Sequence, residues 1–124
     1  MQKAKIKSFT NLTAWQKGHQ LVVAIYKITN KFPKEEVYGL TNQIRRCAVS
    51  ITSNIAEGFS RQSKKEKIQF YFTAKGSLTE LQNQLLIAKD INYLKKEKFD
   101  KIAQLTIEVA KLLNGLIKSL NTRC

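Results

Sequence analysis

Apolar residues recur at three- and four-residue steps through four successive segments of this 124-residue chain, and its one proline and five glycines leave those segments almost unbroken. That spacing marks one face of an α-helix. The scarcity of turn residues favours long helices over a sheet protein. The first segment runs from about residue 13 to 31, with Trp15, His19, Val22, Ile25/Tyr26 and Thr29 on its stripe. Thr13 and Gln16 form a candidate capping box. Phe32-Pro33 closes it, because the residue before proline is pushed out of helical geometry.

The second segment spans about 39–57 through Leu40, Ile44, Cys47/Ala48, Ile51 and Ile55. Gly58 suits either the left-handed position that ends a helix or close packing; if the helix continues instead, Glu57 and Arg61 have the favourable order for an i,i+4 pair. Ser63 and Glu66 make a capping box for a third helix, about 64–91, through Ile68, Tyr71/Phe72, Leu78, Leu81, Leu85 and Ala88. Asn92 can take its left-handed cap. The fourth spans about 96–120 through Phe99, Ile102, Leu105, Val109, Leu112/Leu113, Leu116 and Leu120. No strand-like alternation has useful length.

Short connections make successive helices antiparallel neighbours. The expected fold is all-α, an up-down-up-down antiparallel four-helix bundle. Residues 1–124 then form one domain, with a basic N-terminal arm over 1–12 carrying Lys3, Lys5 and Lys7. The third and fourth helices hold more apolar residues than one bundle face needs: Phe70, Leu86 and Ile87 on one, Ala103, Ile107, Ala110 and Ile117 on the other. Such a surplus points to self-association. The competing reading is that these helices sit deeper in the bundle.

Twenty-two Lys and Arg against nine Asp and Glu give a net charge of +13, and eighteen of the twenty-two are Lys. A surplus of this size repels itself when compact and suits a polyanionic partner, RNA or DNA before all. The competing reading is a surface that serves solubility. The start of the chain lacks the apolar core of a secretory signal, and no apolar run has the length of a membrane span. A cytoplasmic protein with no membrane partner and reduced thiols is expected.

Catalytic chemistry finds little support. His19 is the single histidine, and Cys47 and Cys124 have no partner at metal-ligand spacing, so no metal or other cofactor is expected. No serine motif frames His19 and the glycines do not cluster into a phosphate loop. The chain is expected not to be an enzyme. Cys47 reads as a buried thiol among Ile44, Ala48 and Ile51.

The stretch "NIAEGFSR", residues 54–61, still carries an amide, a carboxylate and a guanidinium. Gln43, Arg46, Ser50, Asn54, Glu57 and Arg61 step along one edge of the second helix as a polar ridge. Ser77 and Glu80 flank Gly76 in the third helix as counterparts. A helix-interior glycine costs about 1 kcal/mol against alanine, so a close approach is expected at Gly76. Ser50, Asn54, Glu57, Ser77 and Glu80 are therefore expected to set the register of the two helices.

Basic residues gather at two turns. Arg61, Lys64, Lys65 and Lys67 mark the second, and Lys89, Lys95, Lys96, Lys98 and Lys101 the third. In a bundle these turns lie at opposite ends. Arginines suit phosphate forks and lysines suit diffuse attraction. Arg45, Arg46, Arg61, Lys64, Lys65 and Lys67 are the candidate phosphate contacts, in a salt-sensitive mode with little sequence preference.

"FPKEEVYGL", "QIRR", "SNIAEGFSR" and "AKGSLTEL" together resemble the bacterial four-helix-bundle proteins encoded by intervening sequences in 23S rRNA genes. The accessory variability proteins of diversity-generating retroelements are relatives in that family. The resemblance covers nearly the whole chain. It implies a ring-like homopentamer with a basic surface for nucleic acid and no enzymatic activity. In the retroelement relatives it also implies a protein partner, a reverse transcriptase, so an adaptor bundle built around a protein contact is the alternative function. Thr52 stands where the family commonly has proline, Cys47 where it has alanine and Asn92 where it has glycine.

Overall fold

The computed structural model describes residues 6–121. Lys3, Lys5 and Cys124 lie outside them. Among the described residues there are four α-helices and no strand: α1 (Thr13–Thr29), α2 (Leu40–Ser60), α3 (Lys64–Asp90) and α4 (Lys96–Asn121). Short 3-10 turns at Phe9–Asn11 and Lys34–Glu36 precede α1 and α2. Each helix packs on its chain neighbours and α4 closes back on α1. Contact partners climb one helix as they descend the next. Gly18 faces Thr52 while Thr29 meets Arg45. Gly58 faces Tyr71 while Ser50 meets Ser77. Gln82 meets Thr106 while Lys89 lies over Phe99.

The core is a continuous column of side chains from all four helices. Leu21, Ile25, Ile44, Ile51, Ile55, Leu81, Leu85, Val109 and Leu113 are fully buried. Burying such a side chain contributes about 2 kcal/mol. The columns differ from the expected stripes at two places. On α1 the buried line is Ala14, Gly18, Leu21, Ile25 and Thr29. Trp15 sits at the rim, stacked on an exposed His19 at 4.8 Å. Within the inner column Gly18 lets α1 approach α2: a β-carbon there would lie 3.1 Å from Thr52 Cγ2. On α4 the inner line is Ile102, Thr106, Val109, Leu113 and Ile117. Thr106 enters the core with its hydroxyl bonded to the Ala103 carbonyl at 2.6 Å.

Helix ends follow local hydrogen bonding. The start of α1 has no side-chain cap, so the expected Thr13–Gln16 box does not form; Gln16 Nε2 reaches back to the Thr10 carbonyl instead. A capping box forms earlier, between Ser8 and Asn11. The first helix stops at Thr29, short of residue 31, where Thr29 Oγ1 bonds back to the Ile25 carbonyl at 2.7 Å. Glu36 caps α2 by accepting the Leu40 N–H at 3.0 Å, and Tyr93 Oη donates to its other oxygen at 2.9 Å. These bonds, the backbone one foremost, hold the Glu36 carboxyl below its ordinary range.

Gly58 does not close α2. No glycine among the described residues has a positive φ, and the helix runs through Gly58 to Ser60. Its role is close packing against Tyr71 and Phe70. Gly76 has no such neighbour: a β-carbon there would meet nothing within 4 Å, so the expected close approach is absent. Ser63 caps α3 by accepting the Glu66 N–H at 3.1 Å. Asn92 closes α3 at φ 68°, with the Asn92 and Tyr93 N–H groups bonded back to the carbonyls of Lys89 and Ala88. That double bond pattern is the Schellman motif.

Candidate nucleic-acid interface

The polar ridge of α2 is formed largely within that helix. Asn54 Nδ2 donates to the Ser50 carbonyl at 2.8 Å and to its hydroxyl at 3.1 Å. Glu57 pairs with Arg61 at 2.8 Å. Neither Asn54 nor Glu57 bonds across to α3, which departs from the expected lock. The cross-helix link runs through Ser77. Its hydroxyl meets Ser50 Oγ at 2.8 Å, and its carbonyl accepts from Cys47 Sγ at 3.0 Å. Burial and the nearby Glu80 carboxylate raise the Cys47 thiol pKa to about 11, so it stays a neutral donor. Within α3, Glu80 accepts from Gln84 Nε2 at 3.5 Å. A polar cleft of about 270 Å³ opens beside this link, lined by Gln43, Arg46, Ser50, Ser77, Glu80 and Gln84.

The six candidate phosphate contacts divide into two groups. Three are tied to the chain itself. Arg45 Nε donates to Thr29 Oγ1 at 2.8 Å and its terminal nitrogen to Asn30 Oδ1 at 3.1 Å, with the guanidinium over the Tyr26 ring. Arg61 pairs with Glu57 and lies 4.7 Å from the Phe70 ring centroid. Lys67 Nζ donates to the Phe59 carbonyl at 2.6 Å, satisfying the end of α2. The other three, Arg46, Lys64 and Lys65, are exposed and engage no partner among the described residues. Arg46 sits mid-helix, while Lys64 and Lys65 open α3. The six therefore do not converge on one groove.

Arg45 and Arg46 both border an open groove of about 620 Å³, together with Tyr26, Val37, Tyr38 and Val49. Tyr38 is 92% exposed there. A second basic groove lies between the end of α1 and the α3–α4 turn. It has a volume of about 470 Å³, with Ile28, Tyr93 and Leu94 on its floor and Lys27, Lys31, Lys95 and Lys98 around it. Lys27 and Lys31 were not among the candidates. Their i,i+4 spacing at the end of a helix was the available signal; only the return of the chain at residues 95–98 brings a second lysine pair beside them.

The model of the 23S rRNA-intervening sequence protein family matches residues 10–115. The chain belongs to that family. A solved member of the S23 ribosomal protein family from Bacteroides thetaiotaomicron VPI-5482, described as of unknown function, superimposes with a TM-score of 0.77 at 26% identity. The match covers 86% of this chain and 99% of that one. No curated protein matches the chain. As a 23S rRNA-intervening sequence family member, the protein carries both basic grooves on regions the family match includes. None of its described helices is long and apolar enough to cross a membrane. Among the described residues no cluster of His, Cys, Asp and Glu could hold a metal ion.

Proposed function

We propose that this chain is a non-catalytic, single-domain bundle of up-down-up-down topology that self-associates and binds RNA or DNA backbone with little sequence preference. The observation that carries the reading is the state of its cations. Against a net charge of +13, the lysines of both exposed turns largely lack acidic partners: the ammonium groups of Lys64, Lys65, Lys95 and Lys98 join no ion pair or hydrogen bond among the described residues. Such charges are relieved of their mutual repulsion by pairing with the phosphates of a polyanion, whose condensed counterions are released. The family's link by name to 23S rRNA supports RNA as the first partner to test.

Self-association, with the pentamer as the expected size, draws support from apolar side chains left outside the core. Phe72, Leu86, Ile87 and Ile107 are exposed on α3 and α4. An adaptor role around a protein partner is the second reading, favoured by the same surface. Binding to unrelated RNA and DNA across a salt series separates the two. Affinity that falls steeply with salt supports the backbone reading. No binding at low salt leaves the adaptor.

A further inference from the structure

We propose that the groove between α1 and the α3–α4 turn takes one unpaired nucleotide of a nucleic-acid strand, its phosphate among Lys27, Lys31, Lys95 and Lys98 and its base against Tyr93. The proposal rests on the backbone-binding reading and adds a site and a strand preference to it. Lys27 and Lys31 are four residues apart at the end of α1, and Lys95 and Lys98 three apart at the start of α4. Lys31 lies just past the end of α1 and Lys95 just before α4, and the two pairs flank one groove. None of the four ammonium groups joins an ion pair or hydrogen bond among the described residues. Four unneutralised ammonium groups around one concavity attract a phosphate and gain nothing from a neutral ligand.

The floor adds the second half. Tyr93 is held in place at its hydroxyl by Glu36 and from the side by Phe32, whose ring centroid lies 5.5 Å away. The ring is therefore rigid before any ligand arrives, which lowers the ordering cost of binding. Tyr26, Phe59, Phe70, Phe72 and Phe99 are each covered by a cation of the chain itself. Tyr93 has four lysines around its groove and no cation over its ring among the described residues. An aromatic floor with a cationic rim is the arrangement that binds single strands, by stacking and by backbone attraction together. The groove volume of 470 Å³ falls in the range of roughly 300–1,000 Å³ for small-ligand sites. A duplex cannot offer an unpaired base, so the groove discriminates against it.

The test compares a fluorescent oligouridine strand with a duplex of equal length. The wild type binds the strand about tenfold more tightly, the scale of one base stacked on an aromatic ring. Lys31→Ser/Lys98→Ser removes that preference and lowers the logarithmic salt slope for the strand by about 1.4. Lys64→Ser/Lys65→Ser weakens both ligands and keeps their ratio. A 5-iodouridine strand photocrosslinks to the peptide containing Tyr93, a readout that needs no variant to fold. Equal effects of the two double variants, or crosslinking elsewhere, overturn the groove and leave backbone binding standing. A wild type that binds neither ligand at low salt overturns both.

Discussion

Gly58 and Tyr71 meet across the α2–α3 seam with no room for a further atom. A β-carbon at position 58 would lie 2.8 Å from Tyr71 Cε1 and 2.9 Å from the β-carbon of Phe70. Tyr71 is buried and cannot swing out of the way. Gly58→Ala should therefore destabilise the fold by about 2 kcal/mol, the scale of core overpacking. Urea denaturation measures it, and an unchanged midpoint would mean the seam is looser than its geometry.

Gly76 makes the opposite prediction. It sits inside α3 with open space where a β-carbon would go. Gly76→Ala should raise stability by about 1 kcal/mol through helix propensity alone. A loss of stability would reveal a contact at this face made by a second molecule, which makes the variant informative about self-association as well.

Arg45 and the lysine pair of α3 should separate stability from binding. Arg45 joins α2 to Thr29 and Asn30, so Arg45→Ala should cost about 2 kcal/mol, as expected for a charged hydrogen bond to a partly buried hydroxyl. Its effect on the salt slope of nucleic-acid binding should be negligible. Lys64→Ser/Lys65→Ser should leave stability within ~0.5 kcal/mol and lower that slope. Thermal melts and a salt titration on both variants decide it. A reversed pattern would return Arg45 to the binding surface.

Glu36 supplies a pH dependence. Its carboxyl is held below the ordinary value by the Leu40 N–H and then by Tyr93. A depressed pKa adds stability above the ordinary value of 4.5, and that contribution is lost as pH falls through the folded value. Glu36→Gln should lower the melting temperature at neutral pH, and the deficit should close in acid. A deficit that persists in acid would place the loss in hydrogen-bond geometry rather than charge.

Much of the architecture was legible in the apolar spacing. The four helices, the Ser63 cap, the left-handed Asn92 and the buried Cys47 all rest on local rules: a 3.6-residue period, a side chain within reach of the next turn, a residue type that tolerates positive φ. The site was less legible. The count of cations was plain, but Arg45, Arg61 and Lys67 proved to be tied to Thr29, Glu57 and Phe59.

The sequence by itself determined that this chain makes helices, where they start and stop to within a few residues, and that its surface is strongly basic. Those properties depend on residues one or two turns apart. The tertiary structure alone decided which of two adjacent columns faces inward, Ala14–Gly18–Leu21 rather than Trp15–His19–Val22, with Gly18 set close against Thr52. It also decided which cations stay free. A guanidinium or ammonium finds its partner through space, and Lys27 and Lys31 meet Lys95 and Lys98 only because the packed helices return the chain to the same end.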